Sequence, residues 1–134
     1  MKQQRPKAIF WYEVYCHIFG LLNLFTAYEG YVIATRPREI LFKYDFLHQF
    51  TTDPNMAEFY ELAVSRVGWS FFGVGLAFGI AAFVLPRTHD TKKTWVAHLV
   101  HLIFGMSSGI LIPLCLPVFL AFLKPDVKAY YGVD

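Results

Sequence analysis

Charge is scarce in this sequence. Asp, Glu, Lys and Arg together make up 16% of the 134 residues, and the net charge is only +2. Soluble domains carry about 25% charged residues, and a soluble domain this short has too small an interior to bury a 56% hydrophobic chain. No basic patch is present, so the composition gives no reason to expect nucleic acid as a partner.

Cysteine and the common catalytic motifs are also missing or nearly so. The two cysteines, Cys16 and Cys115, lie inside apolar segments, which excludes a disulfide framework. We interpret them as small buried hydrophobic residues. The sequence has no nucleophile elbow, phosphate-binding loop, His-Glu-x-x-His or Cys-x-x-Cys pattern. The sequence therefore gives no reason to expect an enzyme of the classes that these motifs identify.

Long apolar runs are what the sequence does have. Leu62–Leu85 contains one charged residue, Arg66, and Trp95–Leu123 contains none apart from two histidines. About 20 helical residues cross the roughly 30 Å of hydrocarbon in a bilayer. Together with an apolar segment near the N-terminus, these runs predict an all-α integral membrane protein. We expect a single helical domain (1–134) with three transmembrane helices, at about residues 8–34, 61–85 and 94–123.

Local signals give the boundaries of these helices. The basic residues of Met1–Lys7 precede an apolar segment with no evident cleavage site, which predicts a retained signal-anchor helix. Pro37 ends this helix. Residues 38–50 mix charged and apolar side chains, and we favour a short interfacial helix there over a loop. Pro113 and Pro117 are the predicted bend points of the third helix.

Basic and aromatic residues predict the orientation. With three crossings, Met1–Lys7 and Arg87–Lys93 lie on one side, which the positive-inside rule identifies as the cytoplasm or its topological equivalent. The C-terminal tail then lies on the opposite side, and Cys16 and Cys115 lie near opposite faces. We interpret Tyr12 and Tyr15 as part of an interfacial aromatic belt.

Small residues recur at helical spacing along each apolar run. In lipid, small side chains let helix backbones approach closely. They predict either a tightly packed three-helix bundle or helices that dock onto larger neighbours. The expected packing or interaction positions are Gly20, Asn23, Ala27, Gly68, Gly75, Gly79, Gly105 and Ser108.

A second set of residues is polar. Glu13 and His17 share a face of the first helix, and His98 and His101 share a face of the third, at matching depth. We interpret the histidines as neutral side chains that hydrogen-bond across helices. The alternatives are a metal site and cofactor binding by His17, His98 and His101, with haem or a quinone as the ligand. We expect no resident metal or cofactor.

Arg66 stands at the start of the second apolar run. A long cationic side chain there can reach the interface. We therefore expect Arg66 to contact a lipid headgroup or to form an ion pair with Glu29, Glu58 or Glu61.

Two layouts of known membrane proteins resemble parts of this chain. The Ser65–Trp69 segment and the C-terminal Tyr130–Val133 segment resemble the small sterol-biosynthesis scaffold proteins of the endoplasmic reticulum, which have four spans where three are predicted here. Three spans with membrane histidines are similar to the membrane anchors of succinate dehydrogenase, although the ligand motifs of those anchors are not evident.

These features predict a non-catalytic accessory subunit or scaffold of a larger membrane complex, in the bioenergetic class of respiratory or photosynthetic electron transport. The expected partners are membrane lipids and other membrane-protein subunits. We favour an organelle inner membrane, the mitochondrial one, with the endoplasmic reticulum as the alternative. The alternative function is a small redox or lipid- or sterol-modifying protein that uses Glu13, His17, His98 and His101.

Overall fold

A computed structural model describes residues 5–43, 54–88, 90–107, 109 and 111–133. All regular secondary structure within these ranges is helical, which confirms the all-α prediction. A single 3-10 turn, Leu85–Arg87, is present as well. The α-helices are α1 (Lys7–Thr35), α2 (Pro37–Lys43), α3 (Pro54–Val84), α4 (Lys92–Ser107), α5 (Ile112–Phe122) and α6 (Pro125–Tyr130).

Two helices, α1 and α3, are long and apolar enough to cross a membrane, and no other helix of the described ranges is. They have 29 and 31 residues, or about 44 and 46 Å at 1.5 Å per residue. The helix predicted at 8–34 corresponds closely to α1. The helix predicted at 61–85 begins earlier, because Pro54 occupies the first helical position of α3, where proline is well tolerated.

Prolines and capping residues mark the other helix ends. Arg36 precedes Pro37 and lies between α1 and α2, as steric conflict with the proline ring requires. The Thr91 hydroxyl accepts a hydrogen bond from the Thr94 amide at 3.3 Å and caps α4. The predicted interfacial helix at 38–50 is helical over its first part, in α2, and residues 44–50 lie outside the described residues.

The prediction of one continuous helix over 94–123 is wrong. Helices α4 and α5 form an antiparallel hairpin, in which the Trp95 indole N–H donates to the Phe122 carbonyl at 3.0 Å. The chain reverses around Gly109, whose φ of +72° lies in the left-handed region. Pro113 also lacks the N–H that a continuous helix would need there. The reversal thus precedes Pro113, and α5 continues through Pro117.

The contacts of the chain cluster in two compact units, one within Leu22–Phe78 and the other formed by Met1–Leu21 with Gly79–Asp134. Helices α1 and α3 each contribute residues to both units. The first unit, which we call the helix-pair unit, contains α2, the C-terminal part of α1 and α3 up to Phe78. The second, the hairpin unit, contains the start of α1, the end of α3, and α4, α5 and α6. The prediction of a single helical domain stays a prediction.

In the helix-pair unit, glycines bring the backbones of α1 and α3 into contact. A Cβ atom at Gly75 would lie 2.7 Å from the Ala27 nitrogen, and one at Gly30 would lie 2.5 Å from the Phe72 nitrogen. The Ser65 hydroxyl donates across the pair to the Ala34 carbonyl at 2.9 Å. Early residues of α1 therefore meet late residues of α3, and the two helices are antiparallel.

Two leucine substitutions in α3 test this close approach. Gly75→Leu should lower the free energy of unfolding by about 3 kcal/mol, because the new side chain collides with the α1 backbone. Gly73→Leu is the matched control, since a Cβ at Gly73 meets nothing within 4 Å and leucine has the better helix propensity. Thermal unfolding in detergent, followed by circular dichroism, measures both. Equal unfolding temperatures for the two variants would contradict the packing described here.

Candidate functional site

The polar centre of the hairpin unit is a buried group of aromatic and histidine side chains, which we call the histidine–tyrosine cluster. Its members are Tyr12 and Tyr15 of α1, His98 and His101 of α4, and Tyr131 after α6. None is more than 4% exposed. The members within each helix are three residues apart, a spacing that puts both side chains on one helical face. Both faces point inward, so the side chains meet in the core.

His98 uses both of its ring nitrogens. Nε2 lies 3.1 Å from the Leu85 carbonyl oxygen, which can only accept a hydrogen bond, so Nε2 carries the proton. Nδ1 is then the acceptor for the Tyr131 hydroxyl, 3.2 Å away. A neutral imidazole has one donor and one acceptor, and both are satisfied. This one side chain joins α4 to the 3-10 turn before it and to the C-terminal tail.

His101 connects α4 to α1. Its Nδ1 lies 3.1 Å from the Tyr12 hydroxyl, and its carbonyl accepts a hydrogen bond from the Tyr15 hydroxyl at 2.9 Å. The ring stands edge-on to Phe19, with the ring centroids 4.9 Å apart. His101 Nε2 is buried and has no hydrogen-bond partner among the described residues. It is the one nitrogen of the cluster that a ligand could still use.

Both cysteines belong to the same core, and neither is in a disulfide. Cys16 Sγ lies 3.8 Å from His101 Nδ1. Cys115 Sγ lies 2.9 Å from where a Cβ at Gly105 would be, next to the Tyr15 ring. Because α5 folds back along α4, Cys115 comes to the level of Gly105. The prediction that the cysteines lie near opposite faces is therefore wrong, whereas both are buried, as expected.

Glu13 and His17 lie apart from the cluster. Glu13 forms an ion pair with Arg5 at 2.6 Å, which raises the pKa of the Arg5 guanidinium. His17 is exposed, and its Nδ1–H donates to the Glu13 carbonyl at 2.7 Å. The predicted four-residue cluster with His98 and His101 does not assemble, because Tyr12 and Tyr15 occupy the face of α1 toward α4.

The described residues contain no group of three His, Cys, Asp or Glu side chains that could hold a metal ion. The structure also separates His17 from His98 and His101, the three residues considered for haem or quinone binding. The contacts observed for His98 and His101 are hydrogen bonds to neighbouring helices and to the tail, and cofactor binding stays a prediction.

The C-terminal tail packs beside the segment that precedes α4. The Tyr130 hydroxyl donates to Asp90 at 2.8 Å, and this bond raises the pKa of the Tyr130 phenol. Burial raises the pKa of Tyr131, so its hydroxyl keeps its proton and remains a donor to His98. The prediction that the tail lies on the side opposite Arg87–Lys93 is wrong, because Tyr130 contacts Asp90 within that segment.

The positions expected to pack between helices fall in both units. Gly20 contacts the Phe83 ring and Ala82, Gly105 contacts Tyr15, and Gly79 is buried. In the helix-pair unit, Gly68 meets the Ala34 backbone, and Gly75 meets the backbone of Asn23 and Ala27. Ser108 lies outside the described residues.

Arg66 is exposed on α3, and none of its expected carboxylate partners pairs with it in the described ranges. Glu61 instead pairs with Arg38 of α2 at 3.4 Å. Contact of Arg66 with a lipid headgroup stays a prediction.

Sequence reasoning missed the tyrosines. The interpretation of Tyr12 and Tyr15 as interfacial residues is wrong, because both are buried and contact His101. Tyr131 is likewise a buried partner of His98. The sequence feature that could have revealed them is the spacing of Tyr12, Tyr15 and Phe19, which puts all three on one face of α1. That face could have been paired with the face of α4 that carries the two histidines.

Comparison of the chain with models of known protein families, with curated protein sequences and with solved structures finds no match. The resemblances to sterol-biosynthesis scaffolds and to succinate dehydrogenase anchors therefore gain no support, and function has to be argued from the geometry.

Two histidine variants test whether the cluster holds the hairpin unit together. His98→Ala removes a side chain with two hydrogen bonds and leaves the Leu85 carbonyl and the Tyr131 hydroxyl unpaired, so it should cost about 3 kcal/mol of stability. His17→Ala changes an exposed side chain and should cost less than about 0.5 kcal/mol. Thermal unfolding in detergent compares them, and a His17→Ala effect as large as that of His98→Ala would refute the assignment.

Proposed function

We propose that this protein is an integral membrane protein that acts as a non-catalytic accessory subunit, with the outer face of α3 as the docking surface for a helix of a larger membrane complex. The observation that carries the proposal is a stripe of small, exposed side chains on α3, Ser70, Gly73 and Ala77, which we call the docking stripe. A Cβ atom at Gly73 would meet nothing within 4 Å among the described residues.

Membrane insertion is supported by the exposed surface of the two long helices. Large apolar side chains stand out along both, with Phe25 and Tyr28 of α1 each 61% exposed and Val67 and Val74 of α3 more than half exposed. In water, a patch this extensive favours aggregation, whereas in a bilayer lipid chains cover it. Helices α1 and α3 then cross the membrane in opposite directions.

The hairpin of α4 and α5 fits a segment that enters the membrane without crossing it. Its helices have 16 and 11 residues, or about 24 and 16 Å, and both are shorter than the roughly 30 Å hydrocarbon layer. Backbone that turns at membrane depth must be shielded by protein, and packing against α1 supplies that shield. Two crossings and one hairpin put Arg87 and Lys92 on the side of the basic N-terminus, the inner side by the positive-inside rule.

A non-catalytic role is supported by the way the polar groups are used. The hydrogen bonds of His98 and His101 hold the hairpin to α1 and to the C-terminal tail. A cluster paired in this way stabilises the fold. Outside the proposed membrane segments, the described chain consists of short helices and connections, so most of its surface for binding faces the membrane.

The docking stripe has the geometry of a helix-packing surface. At 100° per residue, Ser70, Gly73 and Ala77 fall on one face of α3, opposite the Gly68 and Gly75 face that meets α1. Trp69 and Val74, each at least half exposed, flank the stripe, so the small residues form a shallow groove between larger side chains. Small residues along a helix let a second transmembrane helix approach closely.

Arg66 continues the stripe toward one end of α3. It is four residues before Ser70, whose hydroxyl donates to the Arg66 carbonyl at 3.1 Å. Its guanidinium is exposed and available to a carboxylate of a partner subunit. A charged group at the end of a small-residue groove would fix the position of the partner helix along α3.

The test is assembly of the tagged protein in its native membrane. Extracts in mild detergent are separated by native electrophoresis, and co-purifying proteins are identified. We expect the wild-type chain to migrate with a complex much larger than itself. Gly73→Leu should fill the docking stripe and release the chain as a small free species, with its thermal unfolding unchanged.

Val96→Leu is the matched control, because it enlarges an exposed side chain of α4, outside the docking stripe, and should leave assembly intact. Migration of the wild-type protein only as a free species would overturn the proposal. The identity of the co-purifying proteins also indicates which complex and which membrane the protein belongs to. Subunits of electron transport would support a bioenergetic complex of an organelle inner membrane, and resident proteins of the endoplasmic reticulum would replace it with the alternative location.

A further inference from the structure

The hairpin unit contains a groove between the start of α1 and the end of α5. Two adjoining cavities form it, an outer one of about 330 Å³ and an inner one of about 200 Å³. Both are lined by Ala8, Trp11 and Ala121. The two alanines have short side chains, so the helices leave a continuous opening where larger residues would close it.

The mouth of the groove is cationic. Lys7 and Lys124 line the outer cavity together with one acidic residue, Asp126. Neither ammonium group takes part in an ion pair within the part of the chain that the structure describes. Ala8 belongs to the first turn of α1, where the helix dipole is positive. The mouth therefore favours a negatively charged group, with one carboxylate available as a hydrogen-bond acceptor.

The inner part of the groove is apolar. Pro113, Leu114, Pro117 and Val118 of α5 form its floor, and the half-exposed Trp11 of α1 forms one wall. From Lys124 the floor runs back along α5, a helix of 11 residues and roughly 16 Å. A ligand that fits both parts has an anionic head and a hydrocarbon tail.

We propose that this groove binds one molecule of an anionic glycerophospholipid. Its phosphate contacts the ammonium groups of Lys7 and Lys124, a hydroxyl of the headgroup donates to the Asp126 carboxylate, and one acyl chain lies along Pro117 and Pro113 against Trp11. The ends of α1 and α5 at the mouth are the ends nearest the basic linker, so the head lies at the interface and the tail points into the membrane. This site is separate from the docking stripe and does not depend on a partner subunit.

Native mass spectrometry of the full chain in mild detergent tests the proposal, with phosphatidylglycerol and phosphatidylcholine of identical acyl chains as probes. The wild-type protein should retain one phosphatidylglycerol in preference to phosphatidylcholine. The double variant Lys7→Gln, Lys124→Gln should lose this preference, by about tenfold in affinity, because each lysine near a membrane surface contributes substantially to the binding of anionic lipid. The variant Lys92→Gln, Lys93→Gln removes two lysines outside the groove and should keep it.

Two further measurements separate this site from other sources of phosphate. Soluble glycerol phosphate at the same concentration should not displace the lipid, since it lacks the tail that the inner cavity holds. Ala121→Leu should fill the groove and weaken the binding of phosphatidylglycerol even though both lysines remain. Equal binding of the two lipids to the wild-type protein, an unchanged preference in the Lys7→Gln, Lys124→Gln variant, or displacement by glycerol phosphate would each overturn the proposal.

Discussion

The two hydrogen bonds of His98 are the interaction on which the hairpin unit depends. One goes to the Leu85 carbonyl in the turn before α4, and the other comes from Tyr131 in the C-terminal tail. In the membrane location that we propose, hydrocarbon offers no water to replace a lost partner, so a buried polar group has to be satisfied within the protein. A neutral imidazole meets this requirement with one donor and one acceptor. His101 connects α4 to α1 through its ring Nδ1, which pairs with Tyr12, and through its backbone carbonyl, which accepts from Tyr15. Together the two histidines connect the hairpin to α1 and to the C-terminal tail.

The helix-pair unit is stabilised in a different way. Glycines in α1 and α3 let the two backbones make van der Waals contact over a long surface, and the Ser65 hydroxyl adds a hydrogen bond to the Ala34 carbonyl. This difference has a functional consequence. Close backbone packing at Gly68 and Gly75 takes up one face of α3 and leaves the opposite face, which includes Gly73, exposed in the part of the chain that the structure describes. The surface proposed for a partner helix thus has the same chemistry as the surface that α3 uses toward α1.

The length of the apolar runs was enough to predict α1 and α3, because few charged residues interrupt them. It failed over 94–123, where the run is uniformly apolar but the backbone reverses. Gly109 and Pro113 were visible in the sequence, yet a proline in an apolar helix produces a bend as readily as a break. Only tertiary contacts, such as the hydrogen bond from Trp95 to Phe122, distinguish a bent helix from a broken one. The histidines of the cluster were predicted, because ionisable residues are rare in the apolar runs. The tyrosines were not, because the sequence around Tyr12 is the same whether its side chain faces lipid headgroups or a histidine.

The central claim is that α4 and α5 return the chain to the side from which it entered. Its most direct test is labelling of single cysteines, introduced at Lys92 before the hairpin and at Ala129 after it, with a membrane-impermeant maleimide in sealed vesicles of known orientation. Both positions are exposed at the protein surface, whereas Cys16 and Cys115 are buried. The account predicts that both introduced cysteines react from the same side of the membrane. Reaction of Lys92→Cys from one side and Ala129→Cys from the other would show that 94–123 crosses the membrane, and would contradict it.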